Sequence, residues 1–265
     1  LCGAFVFGRE QIFDTIRTPD DIVRKLGMTA LGAIPLLKSG TELASEVLDP
    51  KNSVAEAYTS VRTSLMLSSS HGLPKSLVFT SSQQSEGKSG SCFATALTLS
   101  RIGKRVIVVD LDLRRPSQHH LLGIKSHHGM SDLLSQNATI ADVTQTTEYE
   151  NISFISSGAI PPNPAELLAS ENTVDVLRQL ESDYDIVLVD SAPVLGLADA
   201  VVIGSIAETV IFVVEANRNQ TSTVRSAIHR LIQGGGKLTG VLLNKFDAKE
   251  SGYSYTYQYE YNENT

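Results

Sequence analysis

The chain has 265 residues, 42% of them hydrophobic, enough to bury the core of one sizeable domain with extensions. Its 22 Lys and Arg against 29 Asp and Glu give a net charge of −7 with no basic footprint, which excludes nucleic acid as an expected partner. Two distant cysteines, Cys2 and Cys92, read as free thiols in a reducing compartment rather than as a disulfide framework.

Residues 1–50 read as a leader. It opens on Leu1-Cys2-Gly3-Ala4-Phe5-Val6-Phe7, seven apolar residues where a bilayer span needs about 20. Arg9, Arg17 and Lys25 follow, and positive residues just after a membrane helix mark the cytoplasmic side. Residues 1–7 are therefore expected to end a spanning helix whose remainder lies upstream; a buried start of a soluble chain is the alternative. Thr18-Pro19-Asp20-Asp21 then opens a helix over 18–26, with an N-cap threonine, a proline at the first position and acids in the first turn. An extended stretch over 31–35 leads to a second helix, 54–67, which spaces Glu56, Thr59 and Arg62 along one face.

The body of the chain, 51–248, carries the chemistry. The apolar Leu77-Val78-Phe79 predicts a strand over 76–80 that runs into Thr80-Ser81-Ser82-Gln83-Gln84-Ser85-Glu86-Gly87-Lys88-Ser89 and then a helix over 88–101. A strand turning into a helix leaves successive N–H groups unpaired, and with the helix dipole they hold a polyphosphate. In such a phosphate loop (Walker A) Gly87 permits close approach, Lys88 reaches the β- and γ-phosphates and Ser89 puts its hydroxyl on Mg²⁺. Ser82 stands where the first glycine of the consensus would be. A second strand, 105–109, ends in Asp110-Leu111-Asp112 (Walker A′). A later one, 185–189, ends in Asp190 (Walker B). Carboxylates at C-terminal strand ends face the ligand crevice of a parallel sheet and suit Mg²⁺, although any one of them also reads as a helix cap. Further strands over 152–156, 208–215 and 239–243 alternate with helices over 164–181, 198–205 and 220–233. This predicts an α/β fold, a mostly parallel sheet flanked by helices on both faces, of the P-loop NTPase type.

Residues 249–265 form a tail in which Tyr253, Tyr255, Tyr257, Tyr259 and Tyr261 crowd five of the chain's eight tyrosines into nine positions. With no aliphatic partners, it is expected to be a mobile segment of exposed phenols. Phosphate on each would add about −1.5 to −2 charges at neutral pH.

The motifs Thr80-Ser81-x-x-x-x-Glu86-Gly87-Lys88-Ser89, Val108-Val109-Asp110-x-Asp112-Leu113-Arg114-Arg115-Pro116, Gly158 with Pro161-Pro162-Asn163-Pro164-x-Glu166-Leu167-Leu168, and Tyr184-Asp185-x-Val187-x-Val189-Asp190-x-x-Pro193, together with the tail, resemble the bacterial tyrosine kinases of exopolysaccharide and capsule export. The resemblance spans about residues 18–261. It implies an ATP- and Mg²⁺-dependent kinase at the cytoplasmic face of the inner membrane, fused through a preceding segment to a polysaccharide co-polymerase. It implies nucleotide binding by Gln84, Ser85, Glu86, Gly87, Lys88, Ser89, Gly90 and Asn244, and metal binding by Ser89, Asp112 and Asp190. Lys88, Asp110 and Asp112 form the implied catalytic set, Asp110 taking the phenolic proton. The five tail tyrosines would be the acceptors, presented between subunits of a head-to-tail ring that Glu56 and Arg62 help to close. Its further implied partners are the polysaccharide export machinery and a tyrosine phosphatase. The chain departs from the family pattern at Gln84, usually Pro, at Ser85, often Gly, at Gly90, frequently Thr, and at Thr59, usually Arg.

Two other readings share the sheet and acidic strand ends. A membrane-positioning ATPase of the septum-site or plasmid-partition kind would carry a signature lysine and glycines where this loop has Gln83-Gln84-Ser85. A scaffold holding nucleotide weakly or not at all would retain the loop for binding alone.

Overall fold

The computed structural model describes residues 14–68 and 72–248. The apolar start and all five tail tyrosines lie outside the described residues. The apolar runs become strands β1 (Ala30–Pro35), β2 (Ser76–Ser81), β3 (Val106–Leu111), β4 (Gln145–Thr146), β5 (Ile152–Ile155), β6 (Ile186–Ser191), β7 (Thr209–Glu215) and β8 (Leu238–Phe246). They form one sheet in the order β1-β8-β7-β2-β6-β3-β5-β4. Every neighbouring pair is parallel except β4 with β5. The fold class expected from the sequence is the one observed.

Burial of both sheet faces follows from the two-residue side-chain period of a strand. Leu77, Phe79, Val106, Val108, Ile186 and Leu188 point into one core. There they meet Tyr58, Val61 and Leu65 of α3 (Ser53–Leu67) and Phe93 and Leu97 of α4 (Lys88–Ser100). The alternate residues Val78, Ile107, Val109, Val187 and Val189 point into the other. That face is covered by α9 (Glu171–Asp183), α10 (Asp199–Ile206) and α11 (Thr221–Gln233), through Leu177, Leu180, Ile203, Val224 and Leu231. With both faces covered, β2, β3 and β6 carry continuous apolar runs rather than alternating. Cys92 lies within α4 as a buried free thiol.

Several elements differ from the sequence expectation in detail. The helix expected over 18–26 begins as α1 (Pro19–Asp21), with Thr18 Oγ1 accepting from the Asp21 N–H (3.2 Å) and the Asp21 carboxylate accepting from the Thr18 N–H (3.3 Å). It then widens to a π-helical turn (Ile22–Leu26) that stops at Gly27, whose φ of 67° is the left-handed cap. The helix expected over 164–181 is two, α8 (Pro164–Leu168) and α9. The Leu167 carbonyl is taken by the hydroxyls of Ser170 (2.8 Å) and Thr173 (3.1 Å) at the break, the local competition that Ser and Thr offer the backbone. Short helices α2 (Leu43–Leu48), α5 (Gln118–Leu121), α6 (Met130–Leu134) and α7 (Ile140–Val143), and the two-residue β4, were not expected. None is long enough for its period to register in the sequence.

Residues 30–35 of the expected leader form the edge strand beside β8. Ahead of them, residues 14–16 lie against the β7–α11 loop. Thr15 bridges to Gln220, and the Asp14 and Ile16 carbonyls accept from the N–H groups of Thr221 (2.7 Å) and Asn217 (2.9 Å). Among the described residues no helix is long and apolar enough to cross a membrane.

Candidate nucleotide site

The site forms where strand order departs from chain order. The connection from β2 to β3 passes over β6, so the C-terminal ends of β2, β6 and β3 lie side by side, a crevice of the kind in which open parallel sheets bind ligands. Register puts Asp190 level with both Phe79 and Asp110. Three carboxylates from two strand ends therefore meet the loop leaving β2.

That loop takes a shape few residues tolerate. Ser85 has φ 66° and Gly87 φ 96°, both left-handed. At Gly87 a Cβ would lie 1.8 Å from Asn244 Nδ2, so only glycine fits. Asn244, at the end of β8, donates to the Glu86 carbonyl (2.9 Å) and Lys245 Nζ donates to the Ser85 carbonyl (3.0 Å). The Glu86 side chain is fully buried, its carboxylate accepting from Ser82, the Gln83 N–H and Asn219. Gln84 accepts from Arg115 Nη1 (2.6 Å). Gly90 lets α4 approach Leu43, whose Cδ2 would be 3.2 Å from an added Cβ.

Lys88 sits among the acids. Its Nζ is 2.9 Å from Asp112 Oδ2, 3.2 Å from Asp190 Oδ1 and 3.2 Å from Ser89 Oγ. Burial alone would lower its pKa, but the charges of Asp190 and Asp112 outweigh that and hold the ammonium well above its usual value. Asp110 is fixed by the backbone. Oδ2 accepts from the N–H groups of Ser117 and Gln118 (both 3.0 Å) and Oδ1 from that of Asp112 (3.2 Å). Burial and then the neighbouring Asp190 charge raise its pKa. Burial likewise raises Asp190. Arg115 N–H donates to Asp112 Oδ1 (3.1 Å), while Arg114 turns away and forms a two-pronged pair with buried Asp199 (2.7 and 3.1 Å).

The donor set suits Mg²⁺ with nucleotide. Of the three buried carboxylates two pair with the single lysine, which leaves negative charge for a divalent cation to neutralise, and every donor is a hard oxygen. Among the described residues no three His, Cys, Asp or Glu form a closed metal cage. Mg²⁺ does not demand one, since it takes one or two carboxylates and completes its shell with phosphate and water.

Gln118 joins the site without any motif in the sequence to mark it. Its Nε2 donates to Asp190 Oδ2 (3.1 Å) and to the Ser89 carbonyl (2.9 Å), tying β6 to the first turn of α4, and its Oε1 is buried with no partner among the described residues. No motif points to it; its position eight residues beyond Asp110, on a four-residue helix, is its only signal. The expected subunit-contact residues lie on α3. Glu56 is exposed, and Arg62 donates to the Thr98 carbonyl of its own chain (3.0 Å).

Residues 77–233 match the AAA domain family. The chain is 32% identical over 209 residues to the "Putative tyrosine-protein kinase CapB" of Staphylococcus aureus, covering 78% of this chain and 92% of that one. It is 34% identical to the "Tyrosine-protein kinase wzc" of Salmonella typhimurium over 80% of this chain but spans only 30% of that longer protein. Among solved structures, the kinase domain of Escherichia coli tyrosine kinase ETK superposes with a TM-score of 0.81 at 27% identity, covering 87% of this chain and 95% of that one. With the phosphate loop and acidic strand ends in place, these likenesses show that the chain belongs to the AAA-domain proteins and, among them, to the bacterial tyrosine-protein kinases.

Proposed function

We propose that this chain transfers the γ-phosphoryl group of ATP to the tyrosines of its own C-terminal cluster, between subunits, and thereby regulates exopolysaccharide or capsule polymerisation and export. The observation that carries the reading is the convergence of Lys88, Asp112 and Asp190 on one point at the start of α4, with contacts of 2.9 and 3.2 Å. Loop N–H groups of residues 84–89 and the start of α4 hold the phosphates. Lys88 neutralises charge on them, and Ser89, Asp112 and Asp190 hold the metal. Bound MgATP would supply the phosphoryl group and a divalent cation to neutralise the charge on it. A tyrosine hydroxyl with a pKa near 10 needs an acceptor for its proton at neutral pH, and Asp110, a carboxylate of raised proton affinity, is that acceptor. Positioning and charge neutralisation do the rest.

The acceptors are Tyr253, Tyr255, Tyr257, Tyr259 and Tyr261, which reach the crevice of a neighbouring subunit in a head-to-tail ring with Glu56 and Arg62 at its contacts. Accumulated phosphate repels and opens the ring, and a tyrosine phosphatase resets it. The chain works at the cytoplasmic face of the inner membrane with a co-polymerase and the export machinery. Labelled ATP and Mg²⁺, given to a mixture of Lys88→Met chains that keep the tail and active chains that lack it, test the proposal. Phosphotyrosine on the Lys88→Met chains is the expected result. Released phosphate without protein label would instead make the chain an ATPase, and neither product would make it a scaffold.

A further inference from the structure

Asn219 lies in the β7–α11 loop, outside every motif named above. Its Nδ2 donates to Glu86 Oε1 (2.7 Å) and sits 3.0 Å from Ser82 Oγ. Glu86 Oε2 in turn accepts from Ser82 Oγ (2.8 Å) and from the Gln83 N–H (2.6 Å). Ser82 and Glu86 are fully buried and Asn219 is 9% exposed, so the cluster is closed to water. It brackets the turn of the phosphate loop, within which Ser85 carries its left-handed φ of 66°. A residue with a Cβ keeps such a conformation only where its surroundings over-determine it. Asn219 is itself held firmly, because its loop is bonded to residues 14–16 through Asn217 and Thr221.

We infer that Asn219 is a positioning residue for the nucleotide: it fixes the spacing of Ser82 and Glu86, and so presets the loop whose N–H groups receive the phosphates. The inference rests on the reading of that loop as an ATP site. Without the amide, the Glu86 carboxylate loses a donor in a dry environment and relaxes toward water. Binding must then reorder the loop, and affinity falls by the cost of that ordering.

The test compares the unaltered chain with Asn219→Ala. Amide hydrogen exchange over residues 83–89 in nucleotide-free chains is expected to accelerate about tenfold in the variant, and affinity for a fluorescent ATP analogue to fall about tenfold. Turnover at saturating ATP should stay within about threefold, so that the loss sits in KM rather than kcat. Thr221→Val removes a hydroxyl bond from the same loop without touching Ser82 or Glu86, and should leave ATP affinity unchanged. The paired exchange Asn219→Asp with Glu86→Gln reverses the direction of the hydrogen bond and should restore affinity. Equal exchange and equal affinity in Asn219→Ala and the unaltered chain would overturn the inference while the site reading stands. So would an equal loss in Thr221→Val, which would mark general loosening of the loop. An unaltered chain that binds no ATP would sink the site reading and this inference with it.

Discussion

Lys88 is the residue on which the account turns, and its setting explains why a lysine can be nearly buried there at all. Two carboxylates within 3.2 Å offset its desolvation, so the ammonium stays charged inside the crevice. Gly87 is constrained as tightly by shape as Lys88 is by charge. Gly87→Ala meets a left-handed φ and the Asn244 amide together. The backbone term alone costs the folded state about 1–2 kcal/mol, so the thermal midpoint should fall by about 2–8 °C, and ATP affinity measured by calorimetry should fall with it as the loop leaves its phosphate-binding shape. At this scale the sequence was legible where a residue's role is local. Lys88 and Ser89 follow a glycine on a strand-to-helix turn, and Asp110 and Asp190 end β-branched runs. Gln118 and Asn219 were not legible, since their partners lie 72 and 133 residues away along the chain and each type is ordinary in a turn.

The elements were legible in proportion to their length and regularity. Runs that become β2, β3 and β6 are buried on both faces and read as continuous apolar stretches. The helix expected over 164–181 breaks because hydroxyls at Ser170 and Thr173 take a carbonyl, which periodicity does not register. Two element-level contacts can be tested by stability. Arg114 ties the loop after β3 to α10 by pairing with Asp199, which has no exposure, whereas Arg114 itself is 36% exposed. Arg114→Ala leaves that carboxylate buried and alone. The loss should be roughly 2–3 kcal/mol by urea unfolding, below the 3–5 of a fully buried pair because solvent already screens the arginine. Asp21 caps α1. Burial raises its carboxyl, but the Arg17 N–H, Arg24 and the charge of Lys25 overcome this and leave it below its ordinary 3.8. A folded-state pKa below the unfolded one contributes stability that is fully present above about pH 3.8 and is lost as pH falls below that toward and through the lower folded-state value. The thermal midpoint of Asp21→Asn should therefore be lower than that of the unaltered chain at pH 6, by the equivalent of about 1–3 kcal/mol. The gap should close toward pH 3.

Across the whole molecule, one eight-stranded sheet brings a phosphate loop near residue 85, acids at 110, 112 and 190, and bracing residues at 219, 244 and 245 to a single edge. The parallel topology was legible because strand and helix signals alternate, a pattern that a sheet covered on both faces requires. The bracing of the loop from β8 and the β7–α11 loop was not, because it depends on which strands become neighbours. The tail, residues 249–265, already carries three Glu against one Lys, and the proposed phosphorylation of its five tyrosines would add further negative charge. The most direct measurement is to incubate the purified chain with ATP and Mg²⁺ beside a Lys88→Met control and map phosphate by mass spectrometry. Phosphate on tyrosines between Tyr253 and Tyr261 in the active chain alone is expected; an unmodified tail in a chain that binds ATP normally would rule out the kinase reading.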